Sequence, residues 1–225
     1  MRKKFLKFSL LAAIGLASAA ITSCKDDETK PGQGTGPGTG ANVPLSVEIN
    51  GVTWATRNVD KPGTFAENPE SSGMLYQWNS KIAWTDTVTF VKDWDNTVPG
   101  GYEWEAKNDP CPEGWRLPTV GEMKSLLEIK KVAGGWDNLN EVGGYKFTDI
   151  KTNASVFFPA VGYRDGGDGR LRGAGSSGMY WSAESTSSNV EEIEEAYYIE
   201  SGGNGAILGD YHKRNRAFSL RCVAK

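Results

Sequence analysis

Cys111-Pro-Glu-Gly-Trp115-Arg-Leu-Pro-Thr119 and, at the far end of the chain, Ser219-Leu-Arg221-Cys222-Val223 are the two stretches whose reading decides the fold. One cysteine stands mid-chain and the other three residues from the C-terminus. In an exported protein two such cysteines favour one disulfide, Cys111–Cys222, tying the last strand to the start of the second half. Free buried thiols are the alternative. A bridge closing so long a loop adds roughly 4–5 kcal/mol by chain-entropy reasoning.

Export is written at the other end. Arg2, Lys3, Lys4 and Lys7 precede an apolar run from Phe8 to Ile21. That run is too short for a stable span and reads as a secretion signal over residues 1–23. It ends in Ile21-Thr22-Ser23-Cys24, which resembles a bacterial lipobox, with Cys24 lipidated. An ordinary signal ending near a cysteine is the alternative. Lys25-Asp26-Asp27-Glu28 resembles the surface-export signal of Bacteroidetes lipoproteins. An outer-membrane lipoprotein facing the exterior is therefore expected. Removing residues 1–23 takes away four basic residues and leaves 21 basic against 28 acidic. An acidic chain without a basic cluster argues against nucleic acid and against electrostatic adhesion to anionic lipid.

Residues 24–42 hold the lipidated cysteine and a Gly/Pro/Thr tether that cannot bury apolar area. Residues 43–225 suit one domain. Leu45, Val47 and Ile49 alternate ahead of Asn50-Gly51, which predicts a hairpin continuing through Trp54. Met74–Trp78 reads as a short strand, and 79–110 as long loops. Thr119 with Glu122 forms a capping box opening a helix, with Met123, Leu126, Leu127 and Ile129 along its stripe and Gly134-Gly135 as its stop. Short strands follow at 144–148, 155–158, 178–182, 196–200, 205–208 and 217–223.

These pieces, in order, are Trp54…Asn58, Leu75-Tyr-Gln-Trp78, Asp109–Thr119 with Glu122, Phe158-Pro-Ala-Val-Gly-Tyr-Arg164, Tyr180-Trp-Ser-Ala183, Ala196-Tyr-Tyr198 and Phe218–Val223. Together they resemble the Fibrobacter succinogenes major paralogous domain family over about residues 45–223. The resemblance implies a C-type lectin-like, α+β fold, shared with formylglycine-generating sulfatase-modifying enzymes. Such a domain has a small twisted antiparallel sheet, one or two helices, and long loops forming a binding face.

Asp210-Tyr-His-Lys-Arg-Asn-Arg216 is the leading ligand-contact segment: polar, aromatic, and just ahead of the terminal strand. In retroelement-diversified proteins of similar fold the corresponding stretch carries ligand contacts. The alternative is a solvated hairpin turn. Trp84, Trp94 and Trp104 sit among polar neighbours and are the tryptophans expected at the surface, where an indole can stack on a sugar ring. Trp54, Trp78, Trp115 and Trp181 are expected in the core. No cofactor is expected. Asp165 and Asp168 on a glycine-bent loop offer oxygens to calcium, but an ordinary turn is favoured. Asp86-Thr87-Val88 resembles an O-glycosylation pattern at Thr87. Glu191–Glu195 reads as a solvated acidic run. His212 is the only histidine, so catalysis is not expected. The expected function is capture of an extracellular glycan or protein by the loop face, as in adhesion. The alternatives are a structural or tip subunit of a fimbria-like assembly, and an enzyme related to the sulfatase modifiers.

Overall fold

The computed structural model of the chain describes residues 44–186 and 194–225. The signal, Cys24, the tether and residues 191–193 of the acidic run lie outside the described residues. The strands are β1 (Ser46–Ile49), β2 (Val52–Ala55), β3 (Leu75–Gln77), β4 (Ala83–Trp84), β5 (Trp115–Arg116), β6 (Val132–Leu139), β7 (Val142–Asp149) and β8 (Ser155–Pro159). Then come β9 (Tyr163–Arg164), β10 (Leu171–Arg172), β11 (Ser177–Ser185), β12 (Glu195–Gly202), β13 (Gly205–Lys213), β14 (Ala217–Phe218) and β15 (Val223–Ala224). Helix α1 (Val120–Leu126) lies between β5 and β6.

The strands form four sheets, ordered β1-β2-β15-β5, β10-β9-β14-β3-β4, β11-β12-β13 and β6-β7-β8. This corrects the expected α+β, C-type lectin-like class. Among the described residues the chain is β-rich, with one α-helix of seven residues. The capping box is present: the Thr119 hydroxyl accepts from the Glu122 N–H at 3.2 Å, and the Glu122 carboxylate accepts from the Thr119 N–H at 2.8 Å. The helix nevertheless stops at Leu126 instead of running on to Gly134-Gly135. Val132–Leu139 pairs along its whole length with β7, so the glycines lie inside a strand. A Cβ on Gly134 would strike the Tyr145 ring at 2.7 Å. That glycine makes room for a ring across the ladder and does not end a helix.

The expected hairpin forms between β1 and β2. Asn50 and Gly51 adopt φ of 48° and 79°, the left-handed pair that a tight two-residue turn requires. The expected 217–223 strand is split. β14 pairs with β3 and β9, Ser219 bridges Tyr180, and β15 pairs with β2 and β5. This short terminal segment thus joins two sheets directly and touches a third. Its side chains seal two cores. Phe218, Leu220 and Cys222 pack with Trp78, Trp181 and Tyr198. Val223 packs with Trp54, Met123, Phe147, Phe158 and Tyr180. Each such large apolar side chain contributes about 1.5–3 kcal/mol by leaving water.

Cys222 is bonded to Cys111. Next to it Arg221 is buried and donates to the Ala55 carbonyl at 3.2 Å, Asn58 Oδ1 at 2.6 Å and the Phe157 carbonyl at 2.9 Å. Its guanidinium lies 4.6 Å from the centre of the Phe158 ring. Burial pulls its pKa down to about 10, so it stays charged at neutral pH. Among the described residues no carboxylate pairs with it. A dry cation here is held by carbonyl dipoles, an amide and an aromatic face.

Candidate ligand-binding site

Asp210, Tyr211, His212 and Lys213 belong to β13 and not to a loop as expected. Only Arg214-Asn215-Arg216 make the turn into β14. The cause is pairing with β12, whose buried Ala196, Tyr198 and Ile199 hold β13 to the sheet. Between the pairs Tyr198↔Gly209 and Ala196↔His212, β12 advances two residues and β13 three. The extra residue is a β-bulge, a device that re-aims side chains. Neighbours on a regular strand point to opposite faces. Here the rings of Tyr211 and His212 approach to 4.5 Å. Gly209 is required beneath them, because a Cβ there would overlap the Tyr198 ring.

The His212 ring stacks at 4.9 Å on buried Tyr198 and at 6.2 Å on half-buried Tyr163 of β9. Arg216 caps the group. Its Nη1 donates to His212 Nδ1 at 3.0 Å, and its guanidinium lies 5.2 Å over the Tyr163 ring. Burial first, then the Arg216 charge, pulls the His212 pKa down to about 4, with Asp165 opposing. The ring is therefore neutral at physiological pH. Tyr211 is 58% exposed and donates to Glu200 at 3.1 Å. Tyr211, His212, Tyr163 and Arg216 make an aromatic shelf with a cationic rim. Tyr163 was not foreseen as a site residue, because its motif reads as core.

The His212 environment makes a pH prediction. A base whose folded pKa lies below its unfolded value binds more proton in the unfolded chain across that interval. Stability is expected to fall as pH drops from about 6.5 towards about 4. His212→Asn should flatten that part of the curve. Chemical unfolding midpoints at pH 7 and pH 4.5 check it, and parallel curves for the two proteins would refute it.

Other members of the segment do different work. Arg214 is buried, donates to the Gly101 carbonyl at 2.7 Å and lies 4.8 Å over the Trp78 ring. It holds a loop and presents no contact surface, which corrects its expected role. Lys213 pairs with Glu194, the Asn215 side chain donates to the Asn96 carbonyl at 2.9 Å, and Asp210 is exposed.

The three tryptophans also separate. Trp104 is buried against Trp78 at 5.8 Å and its Nε1 donates to the Asn108 carbonyl. The expectation that it stands at the surface is thereby corrected; packing on a ring distant in sequence decides its place. Trp84 and Trp94 are half-buried, 4.9 Å apart, and Trp94 donates to the Gly166 carbonyl at 3.0 Å. Trp94 supports the 165–170 turn, and Trp84 lies against Trp94. Of the tryptophans expected in the core, Trp54, Trp78 and Trp181 are fully buried and Trp115 is half-buried.

In the 165–170 turn, Asp165 accepts from the Gly167 N–H at 3.1 Å and faces Arg172 at 3.4 Å. Asp168 accepts from the Arg170 N–H at 3.0 Å. Both carboxylates cap their own turn. Among the described residues no group of three or more His, Cys, Asp or Glu is placed to hold a metal.

Arg164 ties this turn to the loop opposite. Fully buried, it donates to the carbonyls of Thr85 and Val88 at 2.9 Å, of Gly169 at 2.6 Å and of Thr89 at 3.4 Å. Thr87 is exposed on that loop. Arg164→Met would leave the buried Gly169 carbonyl without its donor, costing about 1–3 kcal/mol, and would release the part-buried carbonyls of Thr85, Val88 and Thr89 to water. Amide exchange over 85–90 and 166–170 should quicken at least tenfold, by hydrogen–deuterium exchange. Unchanged protection would contradict this role.

A concavity of about 370 Å³ lies beside the disulfide, lined by Trp104, Cys111, Pro112, Trp115, Leu117 and Ala183 among others. Two of its charged groups are already engaged. Asp109 accepts from the N–H groups of Cys111 and Leu117, and Arg116 pairs with Glu122 at 2.6 Å.

The Fibrobacter succinogenes major domain (Fib_succ_major) matches residues 47–224. No curated protein matches the chain. No solved structure matches it either. The matched span runs from β1 to β15 and includes the buried Trp54, Asn58, Trp78, Arg164, Trp181 and Arg221 around which the sheets close. The chain belongs to the Fibrobacter succinogenes major domain family.

Proposed function

We propose that this chain is an outer-membrane lipoprotein, facing the exterior, that captures an extracellular glycan on the shelf formed by Tyr211, His212, Tyr163 and Arg216. The observation that carries the reading is the bulge in β13, which turns two consecutive rings towards each other beside a third from β9. A sugar ring offers an apolar CH face to such a shelf and hydroxyls to its rim. Among the described residues no carboxylate pairs with Arg216, which leaves donors for those hydroxyls. Asp165 and Arg172 extend the polar rim.

Attachment rests on Cys24 and reach on the tether through residue 42, both outside the described residues. No catalytic step is assigned. The two cysteines of the frame are bonded to each other, and His212 is already engaged by Arg216.

A glycan array with the unlipidated chain tests the proposal. Tyr211→Ala should weaken any hit about tenfold, the worth of one aromatic contact. It should move stability by no more than about 0.5 kcal/mol, since the side chain is exposed. A hit bound equally well by the variant would place the site elsewhere.

A further inference from the structure

The far end of the β6-β7 ladder carries a second surface of different chemistry. Ile129, between α1 and β6, is 85% exposed, the highest value among the exposed large hydrophobic side chains. Ile150, in the turn after β7, is 56% exposed. The two turns are joined: the Ile150 N–H donates to the Lys131 carbonyl at 2.8 Å, next to the Val132↔Asp149 pair. Lysines surround the pair. Lys130, Lys131 and Lys151 are sequence neighbours of the isoleucines, Lys124 lies on α1, and all four are exposed.

Two acidic groups at this end are already committed. Glu128 pairs with Lys131 at 2.8 Å. The Asp149 carboxylate is buried and turned inward, accepting from the N–H groups of Asn50 at 2.8 Å and of Lys151 and Thr152 at 2.9 Å. Those bonds hold Asp149 below the usual carboxylate range and knit the β1–β2 turn to the tip. The Asn50 side chain adds a bond to the Ser125 carbonyl at 3.0 Å. Among the described residues Lys124, Lys130 and Lys151 have no ion-pair partner.

We infer that this tip docks on an anionic lipid surface, the two isoleucines entering the headgroup boundary while the lysines meet its phosphates. Protruding apolar side chains ringed by cations suit an interface that is apolar below and anionic above. The net acidity of the chain does not forbid this. Charges further apart than about 8 Å are largely screened at physiological salt, so the local lysines decide the contact. The braced turns present the isoleucines without an ordering cost at contact.

The test uses residues 24–225 with Cys24→Ser, an amino-terminal histidine tag and Ile129→Cys, labelled with an environment-sensitive bimane. The tag holds the chain to vesicles of phosphatidylcholine with a nickel-chelating lipid, without or with phosphatidylglycerol. Both compositions carry the chain through the tag, so the label reads only whether the tip touches lipid. Emission should shift to the blue with phosphatidylglycerol and stay water-like without it. A label at Ile150→Cys should behave alike, and one at exposed Lys61→Cys should not shift. The combined K130E/K131E/K151E change should abolish the shift while leaving the unfolding midpoint in place. Water-like emission in both compositions would overturn the inference. So would equal shifts in both, or a shift evoked by soluble polyglutamate, which would mark an acidic polypeptide as the partner.

Discussion

Arg221→Ala is expected to lower stability by about 3–5 kcal/mol, the largest effect of any single exchange outside the disulfide. The guanidinium reaches three acceptors that no other side chain unites: the Ala55 carbonyl at the end of β2, Asn58 Oδ1 and the Phe157 carbonyl in β8. Removing it strips all three of a donor in a dry region and leaves a cavity against the Phe158 ring. Arg221→Lys should recover little, because an ammonium is a point donor and cannot replace a planar fork. Guanidinium chloride unfolding checks this, and a loss under about 1 kcal/mol would show that water or relaxation replaces the bonds.

Removing the bridge should cost slightly more. Cys111 and Cys222 close a loop with a sequence separation of 111. Opening a loop of that size returns about 5 kcal/mol of entropy to the unfolded chain. Folded-state losses add to it. Cys222 is fully buried, and β15 beyond it pairs with both β2 and β5. Cys111→Ala with Cys222→Ala should therefore shift the unfolding midpoint strongly. It should also raise exchange at Val223–Lys225, where the Lys225 N–H donates to the Gly114 carbonyl at 3.0 Å. An unshifted midpoint would mean that the terminal segment is held by packing alone.

Features written in neighbouring residues were legible before the structure. Asn50-Gly51 demands a left-handed turn, and Thr119 and Glu122 cap each other. Both are local chemistry that tertiary packing does not reverse. The Cys111–Cys222 bridge was legible from the cysteine count, not from local sequence. What escaped depends on partners distant in sequence. Gly134-Gly135 reads as a helix stop until the Tyr145 ring is seen lying on Gly134. The fold class was missed for the same reason, since β6 is recruited by β7 and not by its own pattern.

The site shows the same division. Tyr211 and His212 were legible as aromatic residues among charges, and they do meet on one shelf. The bulge that unites them is a mismatch of two residues against three between strands, which no single segment records. Tyr163 was hidden because it looks like its core neighbours. Arg214 was misread because its charge suggests solvent, whereas Trp78 and the Gly101 carbonyl take it inside. In this fold buried arginines hold loops: Arg164 with 85–89, Arg214 with 101, and Arg221 with 55–58.

The central claim is that this buried frame presents the β13 shelf to a glycan. The most direct measurement is an amide-exchange footprint of the chain with a saturating array hit. The account predicts new protection at 163–172 and 209–216 and none at 104–117. Protection centred on 104–117, the concavity beside the disulfide, with the shelf unchanged, would contradict it.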